Sequence, residues 1–234
     1  MARRRGVGRL RADWPIKNGL HIWAFGLDLG PGRLEALRSW LSSDERRRAA
    51  RFRFSRDRDR FVAARGQLRE ILARYLGTAP DAVTFAYGPQ GKPRLAAHEA
   101  LGFNLSHSEG QALLAVTRDR EVGIDLERIR PDVDCERIAV DFFSTAEAAA
   151  LMAMPVAARP GAFFACWTRK EAFIKAMGGG LAVPLADFDV SLEPAGPARL
   201  LRTAWDPRDI ERWSLQAVDV PTGFAAAIAV QGAL

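Results

Sequence analysis

The sequence predicts an α+β chain of two similar halves, packed as a pseudo-twofold pair with the active site in the crevice between them. Three observations point there. Helix-period and strand-period segments alternate along 234 residues, long enough for one large domain or two smaller ones. Glu70, Arg74 and Gly77 of one long amphipathic segment have the spacing of Glu171, Lys175 and Gly178 of another, 101 residues later. The apolar run after Gly110 resembles the one after Gly223, at an offset of 113. Ligands often sit between such halves.

Residues 1–18 read as a disordered basic tail. Residues 19–121 form the expected N-terminal half and 122–234 the C-terminal half. His21 to Leu29 alternates as a strand, and Gly32 to Leu41 reads as a short helix. Ser43 or Asp44 can cap a helix starting near Glu45. Phe61, Ala64, Leu68, Ile71, Leu72 and Tyr75 recur at helical spacing, so Phe61 to Leu76 reads as an amphipathic helix. After Val83 to Ala86 comes a turn at Gly88–Pro93. Phe103 to His107 is expected to be extended or a tight loop. Ala112 to Thr117 and Val122 to Leu126 read as consecutive strands. Helices are expected near Cys135–Phe142, from Ser144 to Met152 and from Gly161 to Met177. Segments 188–193, 198–204, 213–219 and 224–230 read as strands.

Composition excludes several classes. No run approaches the roughly 20 apolar residues that span a bilayer. Two cysteines, Cys135 and Cys166, exclude a disulfide framework and a multi-cysteine zinc site. The basic opening MARRRGVGRLRADW lacks the apolar stretch of a secretory signal, so a reducing cytoplasm is expected. The net charge of +6 is unevenly spread. Residues 1–74 hold 19 Lys and Arg against 8 Asp and Glu, and the remaining 160 hold 15 against 20. An anion-attracting front therefore meets an acidic back able to hold a cation.

Three constellations bear chemistry. In Gly123-Ile124-Asp125-Leu126-Glu127, strand alternation puts both carboxylates on one face and Ile124 and Leu126 on the other. Paired acids repel unless neutralised, by a hard divalent cation or by Arg128 and Arg130. In Trp167-Thr168-Arg169-Lys170-Glu171-Ala172-Phe173-Ile174-Lys175, Glu171 and Lys175 share a helix face. They form either an ordinary ion pair or a metal ligand and a phosphate-binding cation. Asn104-Leu105-Ser106-His107-Ser108, downstream of Gly91-Lys92-Pro93, offers several donors to an anion.

Taken in order, these motifs, with Phe-Phe-Ser-Thr-Ala-Glu (142–147) and Gly-Gly-Gly-Leu (178–181), resemble the 4′-phosphopantetheinyl transferases of the longer, two-lobed Sfp type. The resemblance runs from about Asp44 to Ala229. It implies an enzyme that moves the phosphopantetheine arm of coenzyme A to a serine of an apo acyl or peptidyl carrier protein, releasing adenosine 3′,5′-bisphosphate. It implies metal ligands at Asp125, Glu127 and Glu171, for Mg²⁺ or alternatively Mn²⁺. It also implies Lys175 on the phosphates, His107 on the 3′-phosphate with Ser106 beside it, Lys92 near the nucleotide, and Glu147 near the metal. The metal side then belongs to the C-terminal half and the nucleotide side to the N-terminal half. Glu45 stands where some relatives have Lys, so the 3′-phosphate is expected to meet Arg48, with Arg60 and Arg65 next. Glu171 or a metal-bound water is the expected base, acting with Asp125 and Lys175. The carrier is expected to be acidic and to dock near Phe142, Phe143 and Leu151, on a monomeric enzyme. A nucleic-acid-binding protein or metal-dependent nuclease is the alternative suggested by the arginines.

Overall fold

The computed structural model describes residues 19–233, so the expected tail 1–18 lies outside the described residues. The first half opens with β1 (Leu20–Gly26), α1 (Pro31–Ser39), α2 (Ser43–Ala50) and α3 (Ser55–Leu76). A small hairpin follows, β2 (Phe85–Tyr87) and β3 (Pro93–Leu95), and then β4 (Leu101–Ser108) and β5 (Gln111–Arg118). The second half has β6 (Val122–Arg128), α4 (Cys135–Phe142), α5 (Thr145–Ala153) and α6 (Arg159–Met177). It closes with the pair β7 (Phe188–Val190) and β8 (Leu200–Thr203), then α7 (Asp209–Arg212), β9 (Trp213–Ala217) and β10 (Phe224–Gln231). Among the described residues no helix is long and apolar enough to cross a membrane.

Two three-stranded antiparallel sheets organise these elements, in the orders β1-β5-β4 and β6-β10-β9. Their registers repeat. Leu20 pairs with Thr117 in the first sheet, and Val122 pairs with Val230 in the second. Thus β1 maps onto β6 at an offset of 102 and β5 onto β10 at 113. Each sheet is covered by its long helix, α3 or α6, over its own apolar core. A third cluster joins the sheets: Leu113 and Ala115 of β5 meet Val122, Ile124 and Leu126 of β6 and Ala226, Ile228 and Val230 of β10. The pseudo-twofold architecture predicted from sequence is therefore present.

Local chemistry explains the boundaries. Gly77 and Gly178 end the long helices at φ 65° and 71°, a left-handed conformation that glycine adopts without side-chain strain. Ser42, rather than Ser43 or Asp44, caps α2 in a capping box with Glu45, and Ser144 caps α5 the same way with Glu147. Helix α3 starts six residues before Phe61, at Ser55, through a charged turn with no apolar period to reveal it. β5 and β6 are consecutive as expected but belong to different sheets.

The two capping-box acids also share a tertiary role. Glu45 is buried and ion-paired with Arg69 (2.7 Å) and Arg65 (2.5 Å). Arg69 also donates to the carbonyls of Pro80 and Val83. Glu147 is buried and ion-paired with Lys170 (2.8 Å), whose ammonium donates to the carbonyls of Leu185 and Phe188. In each half, a charge on the long helix thus ties a capped helix to the chain that follows. Glu45 is therefore a framework residue here, not a member of an anion-binding row. Phe143 and Leu151, expected near a docking surface, are core residues, whereas Phe142 is exposed.

Burial raises the Glu45 pKa, but Arg65, the Ser42 backbone N–H and Arg69 outweigh it and hold the carboxyl below its ordinary 4.5. Its stabilisation is full above pH 4.5 and is lost as pH falls through the lower folded-state value. Glu45→Gln should flatten the acid side of the urea-midpoint profile measured from pH 3 to 6. Lys170→Met, which strands the Glu147 carboxylate, should cost about 3–5 kcal/mol in urea unfolding. Replacing both partners, as Glu147→Leu with Lys170→Met, should recover much of that loss.

Candidate active site

The site is built on the α6-facing side of β6. Gly123, Asp125 and Glu127 alternate towards the helix while Ile124 and Leu126 enter the inter-sheet core, as the strand period requires. Gly123 permits the close approach. A Cβ there would lie 2.1 Å from the Ala172 carbonyl oxygen and 2.3 Å from the Ala176 nitrogen. That proximity brings Lys175 onto Asp125, with Nζ 2.5 Å from Oδ1.

Asp125 is buried, and Ser106 Oγ donates to the same Oδ1 at 2.9 Å. Its other oxygen, Oδ2, is buried with no hydrogen-bond partner among the described residues. Burial, followed by the charge of Asp125, pushes the Glu127 carboxyl above its usual range, against a hydrogen bond from Ser108 Oγ (3.1 Å) and the charge of Lys175. Glu171 is also pushed up, chiefly by burial and further by Asp125, while Lys175 pulls it down. Asp125 thus bears electrostatically on both other acids, one from its own strand and one from α6.

These oxygens suit a hard cation in chemistry: three carboxylates, two of them disfavoured as anions, and one buried oxygen without a donor. They are not drawn to one point. Among the described residues no group of three His, Cys, Asp or Glu side chains is gathered as a metal cluster. The three expected ligands therefore share a neighbourhood rather than a coordination sphere, and the cation seated on Asp125 is the Lys175 ammonium.

The Asn-Leu-Ser-His-Ser stretch is the C-terminal part of a full strand, β4, and the strand's two faces part company. Asn104, Ser106 and Ser108 face β6, whereas Phe103 joins the first-half core. His107 is exposed on that second face. Surrounding protein lowers its pKa, with further lowering by Lys175, Arg48 and Arg60, so the ring is held towards its neutral form. His107 therefore lies within electrostatic reach of Lys175 on α6 and of Arg48 and Arg60 in the first half.

The other expected anion-binding residues fall in different places. Arg48 stacks on the Phe61 ring, 5.4 Å from its centroid, and lines a cleft of about 630 Å³ with Asp44, Arg47, Arg51 and Phe52. Arg60 is held by Asp28 (2.7 Å) and Glu109 (3.4 Å). Arg65 is committed to Glu45 and to the Phe85 ring, 4.6 Å away, so it belongs to the framework. Lys92 donates to the Ala176 carbonyl (2.8 Å) and pairs with Glu121 (2.7 Å), fastening the β2–β3 hairpin to the end of α6. Glu147 has its contacts in the second-half core, with Lys170, the Val190 N–H and Cys166. Sequence reasoning took Asn104 and Ser108 only as part of an anion-binding stretch and missed their bonds to β6. Their even spacing with Ser106 was the available signal.

Two family models match in tandem, one described as 4′-phosphopantetheinyl transferase, N-terminal, over residues 31–119, and one as 4′-phosphopantetheinyl transferase superfamily, over residues 121–229. The chain is 42% identical over 220 residues to the 4′-phosphopantetheinyl transferase HetI of a Nostoc species, covering 93% of this chain and 90% of that protein. This chain belongs to the 4′-phosphopantetheinyl transferase superfamily. It is 34% identical over 168 residues to the transferase psf-1 of Bacillus pumilus, covering 72% of this chain and 71% of that protein. It is 31% identical over 162 residues to the transferase Sfp of Bacillus subtilis, covering 69% and 71%. The transferase thus places its acids on one sheet and long helix, and its arginine-rich wall on the other half.

Gly123→Ala should force β6 and α6 apart. We expect a loss of about 3 kcal/mol or more in urea unfolding, together with a larger fractional fall in transferase activity than Gly110→Ala produces. Comparing activity at matched folded fraction checks the point.

Proposed function

We propose that this transferase moves the 4′-phosphopantetheine arm of coenzyme A to a serine hydroxyl of an apo acyl or peptidyl carrier protein, releasing adenosine 3′,5′-bisphosphate. The observation that supports this most directly is the pairing of Lys175 with buried Asp125, on the face of β6 that also carries Glu127 and within electrostatic reach of His107.

Asp125, Glu127 and Glu171 would hold Mg²⁺ or Mn²⁺, which supplies charge neutralisation to the pyrophosphate when bound. Lys175 then serves the phosphoryl oxygens as a compact, strongly hydrated charge. His107, held towards neutrality, donates an N–H to the 3′-phosphate rather than a full charge. Arg48 lines an open cleft with Arg47 and Arg51, and Arg60 retains unused guanidinium protons after binding Asp28 and Glu109. These groups stabilise the leaving bisphosphate as negative charge builds on it. Glu171, whose burial strengthens it as a base, accepts the proton of the attacking serine. Arg65, Lys92 and Ser106 are left out of this reading of the nucleotide contacts because Arg65 pairs with Glu45, Lys92 with Glu121 and the Ala176 carbonyl, and the Ser106 hydroxyl donates to Asp125.

The excess of 11 positive charges in residues 1–74 would steer an acidic carrier towards the crevice, faster at low salt. Both halves of the site lie on one chain, which supports a monomer.

Incubation with coenzyme A, Mg²⁺ and an apo carrier should add the mass of one phosphopantetheine group to the carrier, and EDTA should prevent it. Asp125→Asn and Glu171→Gln should each lower kcat by roughly a hundredfold or more, a cost typical of removing one charge-stabilising group. Circular dichroism should remain unchanged. Wild-type turnover by either variant would overturn the assignment of the acids.

A further inference from the structure

β4 and β6 are edge strands of different sheets, and they meet in an unusual way. The N–H groups of Ile124, Leu126 and Arg128 on the free edge of β6 find no strand beside them. They donate instead to side chains on one face of β4: Asn104 Oδ1 (2.9 Å), Ser106 Oγ (3.2 Å) and Ser108 Oγ (3.0 Å). The offset is 20 residues at all three rungs, so the strands run parallel along the seam.

The two serines do more than close an edge. A serine hydroxyl has one proton and two acceptor lone pairs. The Ser106 proton goes to Asp125 Oδ1 at 2.9 Å, while its lone pairs face the Leu126 N–H and, at 3.4 Å, Lys175 Nζ. The Ser108 proton goes to Glu127 Oε2 at 3.1 Å, while the Arg128 N–H donates back. Each hydroxyl therefore joins a backbone N–H of β6 to the carboxylate one residue before it. Neither has a proton left for a phosphate oxygen.

We infer that Ser106 and Ser108 are positioning residues for Asp125 and Glu127, setting the orientation of the two strand carboxylates through the β4–β6 seam rather than binding the nucleotide. The inference rests on the proposed role of those acids. Groups that hydrogen-bond a ligating carboxylate typically change metal affinity or activity 10–100-fold when removed. Asn104 acts at the far end of the seam as a purely structural rung, since its contact is with the Ile124 N–H and with no acid.

The test uses the full-length protein carrying Ser108→Ala, Ser108→Thr or Ser106→Ala. Mn²⁺ binding is followed by the loss of the free-ion electron paramagnetic resonance signal, and kcat and the KM for coenzyme A are measured alongside. Ser108 is only partly buried, so its variants have room to fold, and a urea midpoint confirms it. Ser108→Ala and Ser106→Ala should weaken Mn²⁺ binding and lower kcat by roughly tenfold or more. The KM for coenzyme A should stay within about twofold of wild type, and Ser108→Thr, which restores the hydroxyl, should recover most of the loss. Wild-type Mn²⁺ affinity and kcat in a folded Ser108→Ala overturn the inference. So does a rise in the KM for coenzyme A at unchanged Mn²⁺ affinity, which would put the hydroxyl on the substrate. Failure of wild type itself to bind Mn²⁺ overturns the metal reading instead. In that case a kcat loss rescued by Ser108→Thr still supports positioning of the acids, and its absence overturns that as well.

Discussion

The unpaired edge of β6 is the constraint around which the molecule is arranged. A strand with partners on one side leaves every second N–H unpaired on the other, and burying such groups without acceptors is costly. Here the acceptors are the side chains of a strand from the other half. Because the joint is made by side chains, β4 stands face-on to β6, and the two sheets can pack as separate layers. The same hydroxyls reach the acids on β6, so the fastening of the halves and the aiming of the reactive groups share one set of atoms.

Around this seam the long helices are fixed from behind. Lys170 is fully buried between Glu147 and two carbonyls, one residue before Glu171. Arg69 does the corresponding work in the first half. A buried charge tolerates few arrangements, because any shift leaves a desolvated ion without its partner. These pairs therefore act as registers for α3 and α6, whatever their net stabilisation. The turn of α6 that bears Glu171 and Lys175 begins from a fixed point, and Gly123 sets how near that turn comes to the strand.

Much of this was legible in the chain itself. Period and capping located most helices and strands, and alternation separated Asp125 and Glu127 from Ile124 and Leu126. The repeated Glu-x-x-x-Arg/Lys-x-x-Gly signalled the duplication. Three features were not legible, for physical reasons. β4 hides because its inward residues at 104, 106 and 108 are polar; they face a strand edge, where a hydrogen-bonding surface replaces an apolar one. Glu45 and Arg65 were read by neighbourhood in sequence, yet each is fixed by partners far along the chain. Lys92 and Glu147 were assigned by motif position, which carries no sign of the contacts they make in the fold, Lys92 with Glu121 and the end of α6 and Glu147 with Lys170.

The shared register of the halves gives the two copies unlike contents. The positions of β1 that correspond to Asp125 and Glu127 are Trp23 and Phe25, both in the first-half core, with Trp23 donating to the Tyr75 hydroxyl. The counterparts of Glu171 and Lys175 are Glu70 and Arg74, and Glu70 is already bound by Arg33 at 2.5 Å. One copy of the frame is thus plugged with aromatic rings and internally neutralised, while the other stays polar and receptive. Inequality between otherwise equivalent lobes thus gives the protein a polarity that its symmetry alone would deny it.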